Sequence, residues 1–552
     1  MCRLTWCLAL LLAVCGCTAA SSSSDRGGPA LQDDFDPGAC SEGECVSESC
    51  RKAAEARTSV GCDYYAVMMD AVFAGDNGCF VAFVANTSDV PVHLDVRFGN
   101  ERIDLAEHAR IPSGSGKALL YDPFVPSSGL APGAVAILFL AGGFDPAGAT
   151  SPWEPVKCPV PAAVPVGAQL HGSGIGQAFR ITSDAPVVAY QMLPYGGGVA
   201  AVTGASLLVP TSAWDASYVA VNPIGTDAQV FGRGPSLDIV AAEDDTAITM
   251  VPSAPIAPDV GVPSGVAHRP VTFALDRGQV LQLTQGAELS GSTITSNRPI
   301  GFWGGHQCTN MPLGPKCCCD HAEQQIPPVR ALGSEYVAVP HRPRLGGIEP
   351  SHWRLVGAAA GTTLAYDPPN AGPATLELGQ VAEFTTTAPF VVRSQDGTHP
   401  FVLLAYMTSA DAILSELGYG DADFVRVVPP AQYLDRYVFF TDPTYPETNL
   451  VVVRKGSADV TLDCRGAIDG WAPIGDGNYS YARVDLVRHD FQPQAGCDNG
   501  RREMSSTAPF GLWVWGWGTP ETVPSTGYVS YGYPAGEGLI LINDVELPPV
   551  PK

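Results

Sequence analysis

The chain has few basic residues. Its 552 residues include 31 Lys and Arg, only six of them Lys, against 56 Asp and Glu, and the formal net charge is −25. A polyanion gains no counterion-release free energy on DNA or RNA, and anionic lipid head groups repel it. We therefore expect no nucleic-acid partner and no docking on a membrane through a basic surface. Apolar residues make up 45% of the chain, enough for a large core.

Sequence signatures of catalysis and cofactor binding are also missing. The chain contains no G-x-S-x-G elbow, no H-E-x-x-H pair and no EF-hand loop. The glycine-rich segments 171–177 and 194–200 lack the spacing of phosphate or dinucleotide loops and are interpreted as turns. The acidic segments 243–245 and 476–478 are interpreted as solvated turns, with weak calcium binding as the alternative. We expect no catalytic residue, no cofactor and no metal site.

Long apolar runs are absent beyond the first residues. The apolar run 4–14 has signal-peptide length and is too short to span a bilayer. The sequence VCGC that ends at Cys17 resembles a bacterial lipobox. This resemblance implies a signal peptide over 1–16, a lipid on Cys17, and export to the outer membrane or cell surface, with the lipid as the sole membrane contact. An ordinary secretory signal is the alternative.

The next residues predict a tether and a small cysteine-rich segment. Residues 17–39 are small, polar and without hydrophobic period, which is typical of a flexible linker. Residues 40–60 begin with CSEGECVSESC, for which we favour a disulfide knot over a zinc site. Twelve cysteines follow Cys17, and their even number fits disulfide pairing in an oxidising compartment.

A second cysteine cluster lies in GGHQCTNMPLGPKCCCDHAEQQIPPV, residues 304–329. Export favours a disulfide between Cys308 and one of the three adjacent cysteines, and a metal site is the alternative, although no paired C-x2-C is present. The candidate disulfide cysteines are Cys62, Cys79, Cys308, Cys317, Cys318, Cys319, Cys464 and Cys497.

The body of the chain has the pattern of short strands. Runs rich in β-branched and aromatic residues alternate with Gly, Pro, Asn, Asp and Ser, and long segments with a 3.6-residue apolar period are hard to find. The elements ITSDAPVVAY, ITSNRPIGFW, RSQDGTHPFVLLAY and SSTAPFGLWVW repeat, and Ser-x-x-Pro predicts a turn before an apolar strand. A second frame, P-x3-[WLY]-x3-Y-V, precedes the last three of them.

These repeats predict an all-β fold with about four related units. The repeat region covers 61–520, with units at about 61–200, 207–308, 327–408 and 427–520, and a C-terminal tail at 521–552. Units of this length can each form a β-sandwich, so we expect a tandem array of sandwich-like units, with a β-propeller-like arrangement as the alternative.

Three tryptophans alternate in the last repeat strand. In a strand, Trp513, Trp515 and Trp517 share one face. If exposed, they would form a platform that stacks on sugar rings or aromatic ligands; if buried, they are part of the core, which their repeat position favours.

The segments VGCDYYAV, GASLLVP and SNRPIGFWGGHQC with CDHAEQQIPPV resemble the IgGFc-binding domain family over about residues 60–520. The resemblance implies an extracellular binding or adhesion domain whose partner is a protein or a glycan, and it carries no ligand residue over to this chain. An envelope enzyme acting on polysaccharide and a purely structural envelope protein are the alternatives.

Overall fold

Strands form the body of the protein, and the all-β prediction is confirmed. The computed structural model describes residues 47–114, 118–146, 154–224, 234–313, 318–413 and 418–548. Within these ranges the α-helices are short: α1 Glu48–Ala56, α2 Leu105–His108 and α3 Ala410–Ile413. No helix in the described part of the chain is long and apolar enough to cross a membrane.

We divide the strands into four strand groups according to the sheets they form. The first group and the second group are each one sheet. A nine-stranded sheet contains β1 Val60–Ala66, β2 Phe80–Asn86, β3 Leu94–Phe98, β4 Glu101–Arg102, β5 Ala109–Ser113, β6 Leu120–Pro123, β7 Val135–Ala141, β9 Phe179–Leu193 and β10 Gly204–Leu207. An eight-stranded sheet contains β8 Gly174–Gln177, β11 Asp215–Val219, β12 Pro235–Ala241, β13 Thr246–Val251, β14 Val271–Leu275, β15 Gln279–Thr284, β16 Thr293–Thr309 and β17 Asp320–Gln325.

The third group is split and the fourth is again one sheet. The third has a four-stranded sheet of β18 Glu335–Ala338, β20 Thr362–Asp367, β21 Thr375–Leu376 and β23 Phe390–Ser394, and another of β19 Ser351–Gly357, β22 Val381–Thr386, β24 Phe401–Met407 and β25 Asp423–Arg426. The fourth, nine-stranded, contains β26 Leu434–Thr441, β27 Glu447–Lys455, β28 Val460–Leu462, β29 Gly466–Ala467, β30 Ala472–Ile474, β31 Tyr479–Arg488, β32 Gln492–Pro493, β33 Gly500–Trp517 and β34 Ser530–Pro534.

The repeated proline lies where one long strand changes partner. In β16, residues 293–296 pair with β13 and residues 300–306 pair with β12, and Pro299 stands between the two ladders. Pro186 of β9 and Pro509 of β33 have the same place. Proline has no N–H to donate, so it fits a position where the ladder is interrupted. The predicted turn is therefore a partner switch inside a continuing strand, except in the third group, where Pro400 separates β23 from β24.

A repeated tyrosine fixes each of these switches. The hydroxyl of Tyr218 donates to the carbonyl of Ile300 at 2.6 Å, and that of Tyr336 donates to the carbonyl of Phe401 at 2.5 Å. Tyr437 bonds in the same way to Phe510, and Tyr64 donates to Val187 at 2.6 Å. All four tyrosines are buried, so each hydroxyl needs such a partner. This explains the Tyr of the second repeat frame.

The hydrophobic cores join neighbouring groups. One apolar cluster combines Phe83 and Tyr190 of the first group with Leu450 of the fourth, and a second combines Tyr64 with Trp303. Two further clusters join the second group to the third and the third to the fourth. Each strand group therefore buries apolar surface against two neighbours, and the four groups close on one another.

Four short strands meet at the centre of this arrangement. We call β10, β17, β25 and β34 the inner strands. They pair with β9, β16, β24 and β33 of their own groups, respectively, and each contacts the next inner strand. The tail then returns to the start of the domain: Ser59 N–H donates to Glu537 at 2.7 Å, and Leu539 N–H donates to Arg57 at 2.6 Å. A buried ion pair between Arg426 and Glu537 ties the third group to this tail.

Candidate functional site

The most unusual chemistry lies where the inner strands begin. We call Asp320, Glu323, Asp421 and Asp423 the central carboxylates. Asp320 and Asp423 are the first residues of β17 and β25, Asp421 precedes β25, and Glu323 lies within β17. All four are buried, at 0 to 1% exposure. They lie there because each inner strand starts at the centre, so the first polar residue of each strand lies inside the protein.

Asp320 connects three of the strand groups. Its carboxylate accepts hydrogen bonds from the backbone N–H of Ser530 at 3.0 Å and from the backbone N–H of Thr203. The hydroxyl of Ser530 in turn donates to the carbonyl of Asp421 at 2.8 Å. Asp320 therefore links the first, second and fourth groups, and Ser530 extends the network to the third.

The other central carboxylates are only partly satisfied. One oxygen of each of Glu323, Asp421 and Asp423 is buried without a hydrogen-bond partner in the described structure. The second oxygen of Glu323 accepts from the side-chain amide of Gln191 at 2.9 Å. The imidazole Nε2 of His321 lies 3.6 Å from that same oxygen of Glu323. Burial makes the charged form of a carboxylate costly unless the carboxylate is paired and hydrogen-bonded.

Burial raises the pKa of Asp320 well above its usual value, and the nearby carboxylate of Asp421 adds to this rise. Burial also raises the pKa of Asp421 and of Asp423, and for Asp423 the charge of Glu323 acts in the same direction. Burial therefore makes the charged forms of Asp320, Asp421 and Asp423 costly relative to their protonated forms. Among the residues that the structure describes, no group of three or more His, Cys, Asp and Glu side chains is arranged to hold a metal ion.

Four connecting loops cover the central carboxylates. They connect β9 to β10, β16 to β17, β24 to β25 and β33 to β34. Their described parts are 194–203, 310–313 with 318–319, 408–413 with 418–422, and 518–529. Backbone hydrogen bonds join neighbouring loops: Ser409 N–H donates to Met311 at 2.8 Å, and Tyr528 N–H donates to Gly418 at 3.0 Å. We call the surface made by these loops the loop face.

Two adjacent pockets open on the loop face. The apolar pocket, of about 320 Å³, is lined by Leu119, Tyr121, Val199, Phe491 and Val523 with Pro443, Thr444, Pro524 and Thr526. The charged pocket, of about 470 Å³, is lined by Arg344, Glu447, Arg488, His489, Asp490 and Glu521 with Leu345, Gly346, Tyr419 and Thr519. The turn 489–491 and the loop 518–529 contribute to both.

The three tryptophans of β33 share one face as predicted, but that face is buried. Trp513, Trp515 and Trp517 are at most 5% exposed and pack against the third strand group. His341 lies against two of them, with ring centroids 5.3 Å from Trp515 and 5.9 Å from Trp517. The candidate ligand platform is therefore wrong: the indoles are occupied by a neighbouring group and cannot stack on a sugar.

Disulfides are present, as expected for an exported chain. The structure pairs Cys308 with Cys319, Cys79 with Cys158, and Cys464 with Cys497. Cys50 pairs with Cys62, because α1 packs against β1, and is therefore not part of a closed knot with its two upstream neighbours. Cys318 is also disulfide-bonded. Cys17, Cys40, Cys45 and Cys317 lie outside the described residues.

Sequence reasoning did not find the central carboxylates or the pockets. For the cluster that contains CDHAEQQ, the sequence predicts a disulfide, with a metal site as the alternative, and it predicts no site in DADFVR. A usable signal was present, since both stretches place acids next to apolar strand residues that follow a repeat strand. Which acids meet depends on the closure of the four groups, and no local pattern encodes that closure.

Comparison with known proteins supports the family resemblance. The family model for IgGFc binding protein matches residues 204–516, more than half of the chain. The human IgGFc-binding protein is 26% identical over 364 residues, which is 65% of this chain and 6% of that protein. The chain thus spans a small part of that relative's length. No solved structure gives a significant match. The chain belongs to the IgGFc-binding protein family.

Proposed function

We propose that this chain is an exported binding domain for an extracellular protein, with an adhesive rather than an enzymatic role. Membership of the IgGFc-binding protein family supports a protein partner. The disulfides support an oxidising compartment, because such bonds persist outside the cytosol.

The observation that carries the proposal is the loop face. Loops held by a rigid scaffold are where binding residues concentrate, and here backbone hydrogen bonds join loops from neighbouring strand groups. An enzyme acting on polysaccharide would need two carboxylates facing each other in an open cleft. The central carboxylates lie under the loops instead, and burial raises the pKa values of Asp320, Asp421 and Asp423.

The first partner to test is the Fc part of immunoglobulin G, which the human relative's name includes. The relative is far longer than the matched stretch, so Fc binding could belong to another part of it. A glycan is the second candidate, and it would have to bind on a surface other than the buried tryptophans.

The test is binding of the full chain, made soluble by Cys17→Ser, to immobilised Fc, with Fab as the matched control. We expect saturable binding to Fc and none to Fab. A glycan array and a polysaccharide-hydrolysis assay run in parallel. Binding to a defined glycan without any protein partner, or hydrolysis of a polysaccharide, would replace the proposal with one of the alternatives.

We further propose that a lipid on Cys17 anchors the chain to the outer membrane or the cell surface. The lipobox-like VCGC sequence supports this, and acyl chains bind bilayers by burying methylene groups at about 0.8 kcal/mol each. Intact mass spectrometry of the mature chain should show cleavage before Cys17 and a diacylglycerol on its sulfur. An unmodified Cys17, or cleavage at another site, would remove the anchor and leave a secreted domain.

A further inference from the structure

We propose that the two pockets of the loop face form one docking groove, and that its occupant is a protein segment presenting an apolar side chain next to a Lys or Arg. The inference rests on the proposed function as a protein-binding domain and adds the surface and the chemistry of the partner.

The apolar pocket supplies the anchor position. Its volume of about 320 Å³ is at the lower end of the usual range for binding pockets and admits one large side chain. Val523 on its wall is 91% exposed, and it lines the pocket together with Leu119, Val199 and Phe491. Apolar side chains grouped at a pocket mark interaction sites, because a partner that covers them gains their desolvation.

The charged pocket presents carboxylates rather than cations to a partner. Arg344 is already paired with Glu349 at 2.8 Å and donates to the carbonyl of Thr408 at 2.8 Å. Arg488 lies 3.8 Å from Glu447 and 3.7 Å from Asp485. The exposed carboxylate of Glu521 is on the pocket wall, and among the described residues it accepts from a neutral group, the hydroxyl of Tyr419.

Charge complementarity therefore selects a cationic neighbour for the apolar anchor. Asp490 lies on the wall of the same pocket and directly precedes Phe491, which lines the apolar pocket. The net charge of −25 extends the same preference over the approach to the groove. An acidic partner would meet repulsion both at the pocket wall and at a distance.

The turn between the pockets is held in a costly conformation. His489, Asp490 and Phe491 have φ values of 48°, 55° and 64°, three successive non-glycine residues in the left-handed region. Side chains other than glycine adopt this region only at a cost in free energy, because Cβ lies too close to the following carbonyl oxygen. Glu447 fixes the turn by accepting the backbone N–H of His489 at 2.8 Å. Strain of this kind is concentrated at binding sites, where it fixes a surface before the partner arrives.

The test uses a random peptide library panned on the immobilised full chain, and affinities of the selected peptides for three variants. Val523→Asp places a charge at the rim of the apolar pocket, and Glu521→Gln removes the carboxylate of the charged pocket. Val260→Asp is the matched control, because Val260 is 86% exposed on the second strand group and lines neither pocket.

We expect selected peptides to share an apolar residue beside Lys or Arg. Their affinity should fall about tenfold or more in Val523→Asp and about threefold in Glu521→Gln, should be unchanged in Val260→Asp, and should weaken with salt. No enrichment, an acidic consensus, or affinities that Val523→Asp leaves unchanged would overturn the proposal. So would a wild-type dimer that Val523→Asp converts to monomer, because the occupant would then be a second copy of the chain.

The same variants separate this inference from the proposed function. If Fc binds and Val523→Asp leaves that binding intact, the groove is wrong and the binding function stands. If Fc does not bind but basic, apolar peptides are selected and lost in Val523→Asp, the groove stands and Fc is removed as the partner.

Discussion

The central carboxylates and the tryptophan face of β33 are both buried between strand groups, but their chemistry is opposite. At the centre, Asp421 and Asp423 meet with one oxygen each unsatisfied. At the contact of the third and fourth groups, Trp515 and Trp517 pack with His341 in an apolar cluster. We call the latter the tryptophan interface. Closure of the four strand groups therefore stabilises the protein at the tryptophan interface and costs stability at the central carboxylates.

Substitution in the tryptophan interface should have the largest effect. Trp515→Ala removes an indole that is 2% exposed and leaves a cavity between two strand groups. Such truncations cost about 3–5 kcal/mol in free energy of unfolding. Denaturant titration followed by circular dichroism measures the loss. A loss below about 1 kcal/mol would mean that the third and fourth groups separate without consequence, and that the interface does not hold the fold together.

The two regions should also respond to pH in opposite directions. Burial lowers the pKa of His341 from 6.5 to about 4. The unfolded chain therefore binds a proton between pH 6.5 and 4 that the folded chain does not, so stability falls as the pH is lowered through this window. This lowering of the pKa corresponds to about 3 kcal/mol of stability. His341→Phe keeps an aromatic ring against the tryptophans and should flatten the acid side of a stability profile.

The raised pKa values of Asp421 and Asp423 have the reverse effect. Here the folded chain holds protons that the unfolded chain releases above about pH 4, so the contribution of these two aspartates to stability is present in acid and is lost as the pH rises through the raised values.

If the stability profile of His341→Phe keeps the wild-type slope between pH 6.5 and 4, the assignment to His341 is wrong.

Among the central carboxylates, substitutions of Asp320 and Asp423 should change the free energy of unfolding differently. In Asp320→Asn, an NH2 group that can only donate replaces one of the two carboxylate oxygens that accept hydrogen bonds from Thr203 and Ser530. We therefore expect the free energy of unfolding to fall by about 1–3 kcal/mol. Asp423→Asn keeps the acceptor for the N–H of Phe424 and removes the cost of a buried charge. At pH 8 it should be neutral or stabilising in thermal denaturation. Equal losses in both variants would show that the hydrogen bonds of Asp320 do not matter.

The contrast also explains what could be predicted from the sequence. The repeat of Pro186, Pro299 and Pro509 and the tyrosine of the second frame are local patterns, and they predicted the repeated strands of an all-β fold. The alternation of Trp513, Trp515 and Trp517 predicted a shared face, but not what covers it, because the cover comes from residues such as His341, more than 170 positions away. The meeting of Asp320 with Asp421 depends likewise on closure of the four groups.

The smallest effect should come from a tryptophan outside both regions. Trp471 is half-buried on the fourth group, where the guanidinium of Arg454 lies 3.8 Å from the centre of its ring. A cation–π contact at a partly exposed site contributes about 0.5–1 kcal/mol, so Trp471→Ala should lower the free energy of unfolding by about 1 kcal/mol. The same mutation type is thus compared at two depths. If Trp471→Ala costs as much as Trp515→Ala, indole removal is costly wherever it occurs, and the tryptophan interface loses its special place in the closure of the four groups.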